Sequence, residues 1–526
     1  MIALTLAEIA SAVGGELVSG APERVVDGSV ETDSRLVGPG SVFFALLGEE
    51  TDGHRFVPNA VEAGAALVIT ERATELPTNA TLPADAAQTA DAAQTADAPT
   101  AQIVVADGYA ALAALAHEVV ARVRASSADR VDAEGRPAQL KVVGITGSNG
   151  KTSTKNMLRT ILEQHGATVA PQGSFNNHVG APISMLRITH DTRYLVVEMG
   201  ASGVGHIAKL VSIAEPDVGV VLKVGLAHAG EFGGIEATQR AKSEMVTDLP
   251  ATATALLNVD DDRVASMRDL TAAHVVGFGT SADADYRITG IETDRSGTRF
   301  TLTAPPVRHA GDESADRSRS ADPTMPGGTD HLPESVDVRL VILGEHHAMN
   351  ASAALTVAHL WGVPLATGAE ALASMTRAER WRMELLQGGP EGVTVINDAY
   401  NASPDSTAAA LRTLAQIVRP GERTVAVLGE MAELGEYSTE EHDRIGRLVV
   451  RLGIGQLVVV GRGAMPIHQA ATLEGSWDGE SVFIEDVDDA VHQLQDMLRP
   501  GDVVLVKSSK SAELRFLGDR LGGVPE

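Results

Sequence analysis

The run Gly144-Ile-Thr-Gly147-Ser-Asn-Gly150-Lys151-Thr152-Ser153 stands between an apolar stretch, Leu140-Lys-Val-Val-Gly-Ile145, and a helical pattern. Glycines let backbone N–H groups turn inward on phosphate oxygens, and the following helix N-terminus adds positive potential. A lysine and a hydroxyl next to the last glycine suit the two remaining tasks. Lys151, expected on a solvent-facing loop, would reach terminal phosphates, and Thr152 would ligate magnesium. The usual loop has four residues between its glycines, which would put the first glycine where Ile145 stands. A glycine turn that binds nothing explains the glycines, but not Gly-Lys-Thr between a strand and a helix.

Other residues carry chemistry only in combination. Glu198 ends an apolar run and could simply be solvated. His228 alone could be a surface or capping residue. Asp398 and Asn401 sit among turn formers and could make ordinary Asx turns. Lys242 taken alone reads as an exposed helical lysine paired with Glu244 or Asp248. Asp33-Ser34-Arg35 could be a turn closed by a salt-bridged arginine.

Positioning these groups requires a large α/β scaffold. The chain has 526 residues, too many for one hydrophobic core. β-Branched runs at Tyr194–Val197, Val218–Leu222, Ala255–Asn258 and His274–Phe278 alternate with amphipathic stretches, which predicts a mainly parallel sheet. The pattern repeats with strands at Val393–Ile396, Thr424–Leu428, Leu457–Val460 and Val503–Val506. Helices are expected to start near Ser406, Ser438, Ala464, Val487 and Ser511. This last third reads as a doubly wound, Rossmann-like unit without the G-x-G-x-x-G of a dinucleotide site. Boundaries fall in the polar stretch Ala125–Ala138 and between Gly362 and Ala378. Residues 81–100, with DAAQTA twice in tandem, and residues 305–337 lack an apolar period and read as disordered surface loops.

Composition excludes several classes. There is no cysteine, hence no disulfide, thiolate nucleophile or cysteine-ligated zinc. A net charge of −28 argues against nucleic acid or an anionic membrane as the main partner. Thr5-Leu-Ala-Glu8 resembles a helix capping box rather than a signal peptide, and Gln102–Ala121 is too often interrupted by charge to span a bilayer. A cytoplasmic protein without membrane insertion is expected.

The variant Thr146-Gly-Ser-Asn-Gly-Lys-Thr152 resembles the phosphate loop of the Mur ligases, the ATP-dependent amide ligases of peptidoglycan precursor synthesis. Further similarities come in family order. Phe175-Asn176-Asn177-His-Val-Gly180 resembles the asparagine-rich segment, and Val196-Val-Glu198-Met-Gly-Ala201 the strand whose carboxylate serves a metal. Ala227-His228 and Ala241-Lys242 resemble the metal-site histidine and the carbamylated lysine. Gly344-Glu-His346-His347-Ala-Met-Asn350-Ala351 resembles the adenine-side G-x-H-N-x-x-N-A, with His347 in place of the first asparagine. Arg382, in Trp381-Arg-Met-Glu384, and Asp398, in Asn397-Asp-Ala-Tyr-Asn401, resemble the residues that close on phosphate and ribose. Lys507-Ser-Ser-Lys510 departs from a terminal K-G-S-R at two positions and receives no role. Thr32-Asp-Ser-Arg35, Phe43-Phe-Ala-Leu and Asp52-Gly-His54 resemble a uridine-nucleotide domain. Asn397-Asp-Ala-Tyr-Asn-Ala-Ser-Pro404 and Leu428-Gly-Glu-Met-Ala-Glu-Leu-Gly435 are similar to the branch whose acceptor is D-alanyl-D-alanine.

This resemblance implies three α/β domains. They are a small uridine-nucleotide domain over 1–130, a central P-loop ATPase-like domain with a mainly parallel sheet over 139–372, and a Rossmann-like domain over 373–526. It places ATP on Gly147, Ser148, Asn149, Gly150, Lys151, Thr152, Ser153, Asn350, Arg382 and Asp398. Two magnesium ions would use Thr152, Glu198, His228 and a carbamylated Lys242. Lys151, His228 and Lys242 are the candidate catalytic residues. Ser34, Arg35, Asn176 and Asn177 face the uridine substrate, and Tyr400 and Asn401 the dipeptide. The implied reaction joins D-alanyl-D-alanine to UDP-muramoyl-tripeptide through an acyl phosphate, in a monomer. The alternatives are the sister ligase for the third amino acid, whose D-N-P-[RA] sequence is missing here, and a folylpolyglutamate synthase, which would lack the uridine domain. A catalytically dead nucleotide-binding regulator is the alternative from another class.

Overall fold

The computed structural model describes residues 1–48, 51–77, 99–132, 135, 137–171, 173–226, 230, 233–305, 334–377, 379–474 and 479–524. His228 and most of the two expected loops, 81–100 and 305–337, lie outside these residues.

The chain opens with the expected cap. Thr5 and Glu8 form a reciprocal capping box on helix α1 (Leu6–Val13), which buries Leu6, Ile9, Ala10 and Val13. The first sheet has five strands, β1 (Glu16–Ser19), β2 (Val30–Glu31), β3 (Val42–Phe44), β4 (Leu67–Thr70) and β5 (Ala101–Val104), in the order β1-β5-β4-β3-β2. Only β1 runs antiparallel to its neighbour. Helix α2 (Gly108–Ser127) then buries Leu112, Leu115, Val119 and Val123. Its core continues into that of the next sheet through Leu195, Ile207 and Leu210, so the two sheets share one apolar cluster.

The second sheet has nine strands: β6 (Lys141–Thr146), β7 (Thr168–Val169), β8 (Tyr194–Glu198), β9 (Val218–Val221), β10 (Thr254–Asn258), β11 (His274–Gly279), β12 (Tyr286–Asp294), β13 (Gly297–Thr303) and β14 (Ser335–Leu340). Their order is β14-β13-β12-β11-β10-β9-β6-β8-β7. All pairings from β12 to β7 are parallel, and the final hairpin strands are antiparallel. The chain runs outward from β6 on one side and then restarts on the other. The loop after β6 therefore sits at a topological switch point, where open parallel sheets bind ligands.

The third sheet contains β15 (Glu384–Leu386), β16 (Thr394–Asn397), β17 (Arg423–Leu428), β18 (Gln456–Val460), β19 (Glu480–Ile484) and β20 (Asp502–Lys507), in the order β15-β16-β20-β17-β18-β19. All but β15 are parallel. Because β20 inserts between β16 and β17, the loops after these three strands become neighbours. The predicted strands are found within about two residues at either end, as expected of boundary readings. Among the described residues no helix is long and apolar enough to cross a membrane.

Candidate active site

The carboxyl ends of the second and third sheets face one another across a cavity of about 780 Å³. One wall starts at β6. Its loop leads directly into helix α3 (Lys151–Leu162), whose N-cap is Gly150 with φ +88°, and no side chain caps the helix. The first-turn N–H groups are thus left for a ligand. A Cβ at Gly150 would lie 2.3 Å from Asn350 Oδ1, so only glycine lets the loop pack on helix α5 (Glu345–Leu360). Ser148 ties the loop down, accepting from the Gly225 N–H at 2.9 Å and donating to the Gly225 carbonyl at 3.1 Å.

Lys151 is not solvent-facing. Its ammonium turns back to donate to the Gly147 carbonyl at 2.7 Å, and burial lowers its pKa, with Arg382 adding to the effect and Glu198 opposing it. An isolated loop sequence does not reveal that a second wall will cover it.

Glu198, at the end of β8, is fully buried. Its Oε1 accepts from Asn176 Nδ2 at 2.8 Å and from Thr152 Oγ1 at 3.3 Å, whereas Oε2 has no hydrogen-bond partner. Lys155 Nζ stands 3.9 Å from Oε2 but donates to the carbonyls of Pro171 and Gly173 at 2.8 and 2.6 Å. Burial lowers the Lys155 pKa to about 8. A buried carboxylate with an open oxygen beside a hydroxyl is a donor set suited to a hard divalent cation. Among the described residues there is no group of three or more His, Asp and Glu side chains that could hold a metal.

Lys242 lies on helix α4 (Ile235–Thr247) and lines the same cavity, 3% exposed. The exposed, surface-paired lysine is thereby excluded. Glu244 instead accepts from the Gly205 and Ala208 N–H groups at 2.5 and 3.0 Å. Burial, reinforced by Lys151, lowers the Lys242 pKa to about 7, so a substantial neutral fraction exists near neutral pH.

The opposite wall comes from the third sheet. Arg382 reaches across, its Nη2 donating to Thr152 Oγ1 at 3.2 Å, while its guanidinium stacks 4.5 Å over the Tyr400 ring. Its neighbours Trp381 and Met383 have φ of +60° and +49°, a left-handed pair that is costly for side-chain-bearing residues and aims the arginine. Asp398, after β16, accepts from Lys507 Nζ at 2.6 Å and from the Met383 N–H at 3.0 Å, and is therefore more than a turn residue. Asn401 accepts from the Ala402 N–H, and its carbonyl also receives Lys507 Nζ. Ser403, the N-cap of helix α6 (Pro404–Ile417), donates to Asn149 Oδ1 at 3.1 Å and so joins the walls. Lys223 and Asp405 add an ion pair at 3.7 Å.

Thus the structure brings Ser148 to Ser153, Asn176, Asn177, Glu198, Lys242, Asn350, Arg382, Asp398, Tyr400 and Asn401 to one cavity. Ser34 and Arg35 are not among its lining residues. Arg35 pairs instead with Asp33 at 2.6 Å, its side chain 86% exposed. Sequence reasoning missed Lys155, Ser174, Ser403 and Lys507. For Ser403 the signal was present as Ser-Pro-x-Ser after a strand. Lys507, to which the motif assigns no role, is a buried lysine bonded to Asp398. His346 and His347 also line the cavity, and burial keeps the pKa of His346 down to about 4 and that of His347 well below the usual range.

Three family descriptions match the chain: Mur ligase family, catalytic domain, at residues 28–119; Mur ligase middle domain at 145–358; and Mur ligase, glutamate ligase domain, at 381–510. The UDP-N-acetylmuramoyl-tripeptide–D-alanyl-D-alanine ligase of Mycobacterium tuberculosis (strain ATCC 25618 / H37Rv) is 41% identical over 99% of this chain and 98% of its own. A crystal structure of MurF from Acinetobacter baumannii superposes with a TM-score of 0.79 at 29% identity, covering 99% of both chains. The MurF ligase from Thermotoga maritima, solved in complex with ADP, has the same fold, with a TM-score of 0.72 at 24% identity over 95% of this chain and 98% of that one.

Proposed function

Since this chain belongs to the Mur ligase family, we propose that it adds D-alanyl-D-alanine to UDP-N-acetylmuramoyl-tripeptide in the cytoplasm, using ATP and an acyl-phosphate intermediate. The observation that carries the reading is the cavity in which the phosphate loop, buried Glu198 and Lys242 face Arg382 and Asp398. Residues 1–130 hold the uridine diphosphate, 139–372 the ATP, and 373–526 the incoming dipeptide.

Two anions must first meet, the tripeptide carboxylate and the γ-phosphate. Lys151 and the uncapped N-terminus of α3 lower that repulsion. Arg382 exchanges the Thr152 hydroxyl for phosphate oxygens, and Asp398 and Asn350 hold the nucleoside. The carboxylate oxygen attacks the γ-phosphorus, the bond to the β-phosphate oxygen breaks, and ADP leaves. The two walls exclude water from the acyl phosphate until the dipeptide amine attacks its carbonyl carbon, the C–N bond forms, and phosphate departs.

Thr152, Glu198 and Lys242 would hold magnesium, with His228 as a further candidate outside the described residues. The open Oε2 of Glu198 supports this fit. Magnesium bound there supplies charge neutralisation of the phosphates. An ammonium on Lys242 would oppose it. The lowered pKa favours the neutral amine, which adds carbon dioxide, loses a proton and becomes an anionic carbamate.

Mass spectrometry of products from ATP, a set of UDP-muramoyl peptides and a mixture of amino acids and dipeptides tests the assignment. The expected product is the tripeptide extended by D-alanyl-D-alanine. An adduct with a single amino acid would assign the sister reaction instead. Nucleotide binding without any adduct would indicate a regulator.

A further inference from the structure

Arg382 is carried to the phosphate loop by the segment that joins the second sheet to the third, and its neighbours in that segment are divided between the two units. Glu379 is held by the first. Its Oε2 accepts from Asn156 Nδ2 of helix α3 at 2.8 Å. Arg380 and Trp381 are held by the second. Arg380 Nη2 and Trp381 Nε1 both donate to Asp519 Oδ2, at 2.9 and 2.8 Å, on helix α7 (Leu514–Leu521). Asp519 Oδ1 in turn accepts from Asn397 Nδ2 of β16 at 3.0 Å. The boundary between the two units therefore falls between residues 379 and 380.

Helix α3 meets this segment at two rungs. Thr152, which accepts from Arg382 Nη2 at 3.2 Å, and Asn156 are four residues apart, so they share one face of the helix about 6 Å apart along its axis. Asn156 is buried. The second carboxylate oxygen of Glu379 accepts from the Arg380 N–H at 3.3 Å, which folds the side chain back over its own backbone just before the left-handed Trp381. The Glu379 charge also acts on the buried Lys155 ammonium, where it opposes the effect of burial. Glu379, Asn156 and Lys155 do not line the cavity, so any effect they have on a bound nucleotide passes through another residue.

We propose that Glu379 is a positioning residue: docked on Asn156, it fixes the start of the segment on α3 so that Arg382, three residues on, lands over the phosphate loop. The inference rests on the proposed contact of Arg382 with phosphate. When Arg382 leaves the Thr152 hydroxyl for phosphate oxygens, the Glu379 contact is the rung that persists. Without it, the bonds of Arg380 and Trp381 to Asp519 would tie the arginine to the third-sheet unit alone. The left-handed pair Trp381 and Met383 points the same way, because such residues persist only where surrounding contacts over-determine them. The Glu379 dock is one of those contacts.

Steady-state kinetics of the full chain, with melting temperatures alongside, test this role. Glu379→Ala should lower kcat about tenfold, since a small misplacement of a group acting on the reacting phosphate is costly, and leave KM for the dipeptide unchanged. Glu379→Gln, whose amide oxygen still accepts from Asn156, should recover most of the rate. Asn156→Ala should match Glu379→Ala, and the double variant should lose about tenfold and not a hundredfold, because both substitutions remove one contact. Wild-type kcat in Glu379→Ala, whatever its melting temperature, would overturn the proposal. So would a Glu379→Gln variant as slow as Glu379→Ala, or losses that multiply in the double variant. Arg382→Lys, which gives up the planar guanidinium, separates the two possible failures. Wild-type turnover in that variant, or no dipeptide product from wild type, would remove the reading on which the proposal rests. A slow Arg382→Lys beside a Glu379→Ala of wild-type rate would remove the positioning role alone.

Discussion

The two walls of the cavity satisfy their polar groups in opposite ways. On the wall built from β6 and β8, buried atoms await a partner: Glu198 Oε2 and Asn149 Nδ2 have none. On the wall from the third sheet, the charges neutralise each other, with Lys507 sunk among Asp398 and the Asn401 carbonyl. Arg382 is the exception, reaching over to Thr152 with its Nε unpartnered. The difference assigns each wall its work. The first is incomplete without ligand, whereas the second neutralises its own buried lysine and reaches the first through Arg382, Ser403 and Asp405.

The sharpest way to break this contrast is Lys151→Ala. It should raise the barrier on the order of 3 kcal/mol or more while leaving the circular dichroism spectrum and melting temperature unchanged. Near-normal phosphate release by the folded variant would remove Lys151 from the chemistry. On the other wall, Asp398→Ala should act on stability, because it strands a buried ammonium, at a cost of about 3 kcal/mol in denaturant melts. The pair Asp398→Leu with Lys507→Met should regain much of that loss. If the single variant melts like wild type, the second wall is not self-neutralised.

Lys242→Ala should lose about tenfold to a hundredfold in activity, as when a metal site loses support. Acetate at high concentration should restore part of it, and labelled bicarbonate should give a carbamate carbon signal in wild type only. Full activity without added carboxylate would leave the lysine no part in the site. Ser403→Ala removes both an N-cap and a bond between walls, and should cost about 1 kcal/mol of stability with a raised KM for ATP. An unchanged KM would mean that the Asn149 contact is incidental.

The smallest effect concerns His442, whose Nε2 accepts from the Met431 N–H at 2.9 Å beneath the Glu433 loop. Burial lowers its pKa, so protonation favours the unfolded chain. Its contribution is fully present above the ordinary imidazole value near 6.5 and is lost as pH falls below it. The melting temperature should decline between pH 6.5 and 5, less steeply in His442→Gln. Equal slopes would exclude this histidine as the cause.

Much of this is legible in the sequence alone, for specific reasons. Buried parallel strands write themselves as unbroken β-branched runs, so β6, β8, β9, β16, β17 and β20 were found. The phosphate loop was legible because its chemistry is local. Lys155 was not, since a helix-interior lysine shows nothing in sequence of the carbonyls that will close around it. Lys507 receives no role from a motif that departs from K-G-S-R at two positions, and the local sequence does not show that Asp398, more than a hundred residues away, will be its partner. The turn that Asp33-Ser34-Arg35 allowed is present, with Arg35 paired to Asp33 two residues earlier.

The order of strands in the third sheet has a consequence during synthesis. β16 and β17 leave the ribosome well before β20, the strand that must lie between them. Until then the sheet lacks its middle, and the loops carrying Asp398 and Glu433 have nothing to hold them side by side. A chain interrupted after helix α3 and before residue 502 therefore carries the phosphate loop but not the complete second wall. Nascent or truncated copies should bind nucleotide poorly and spend none of the cell's ATP.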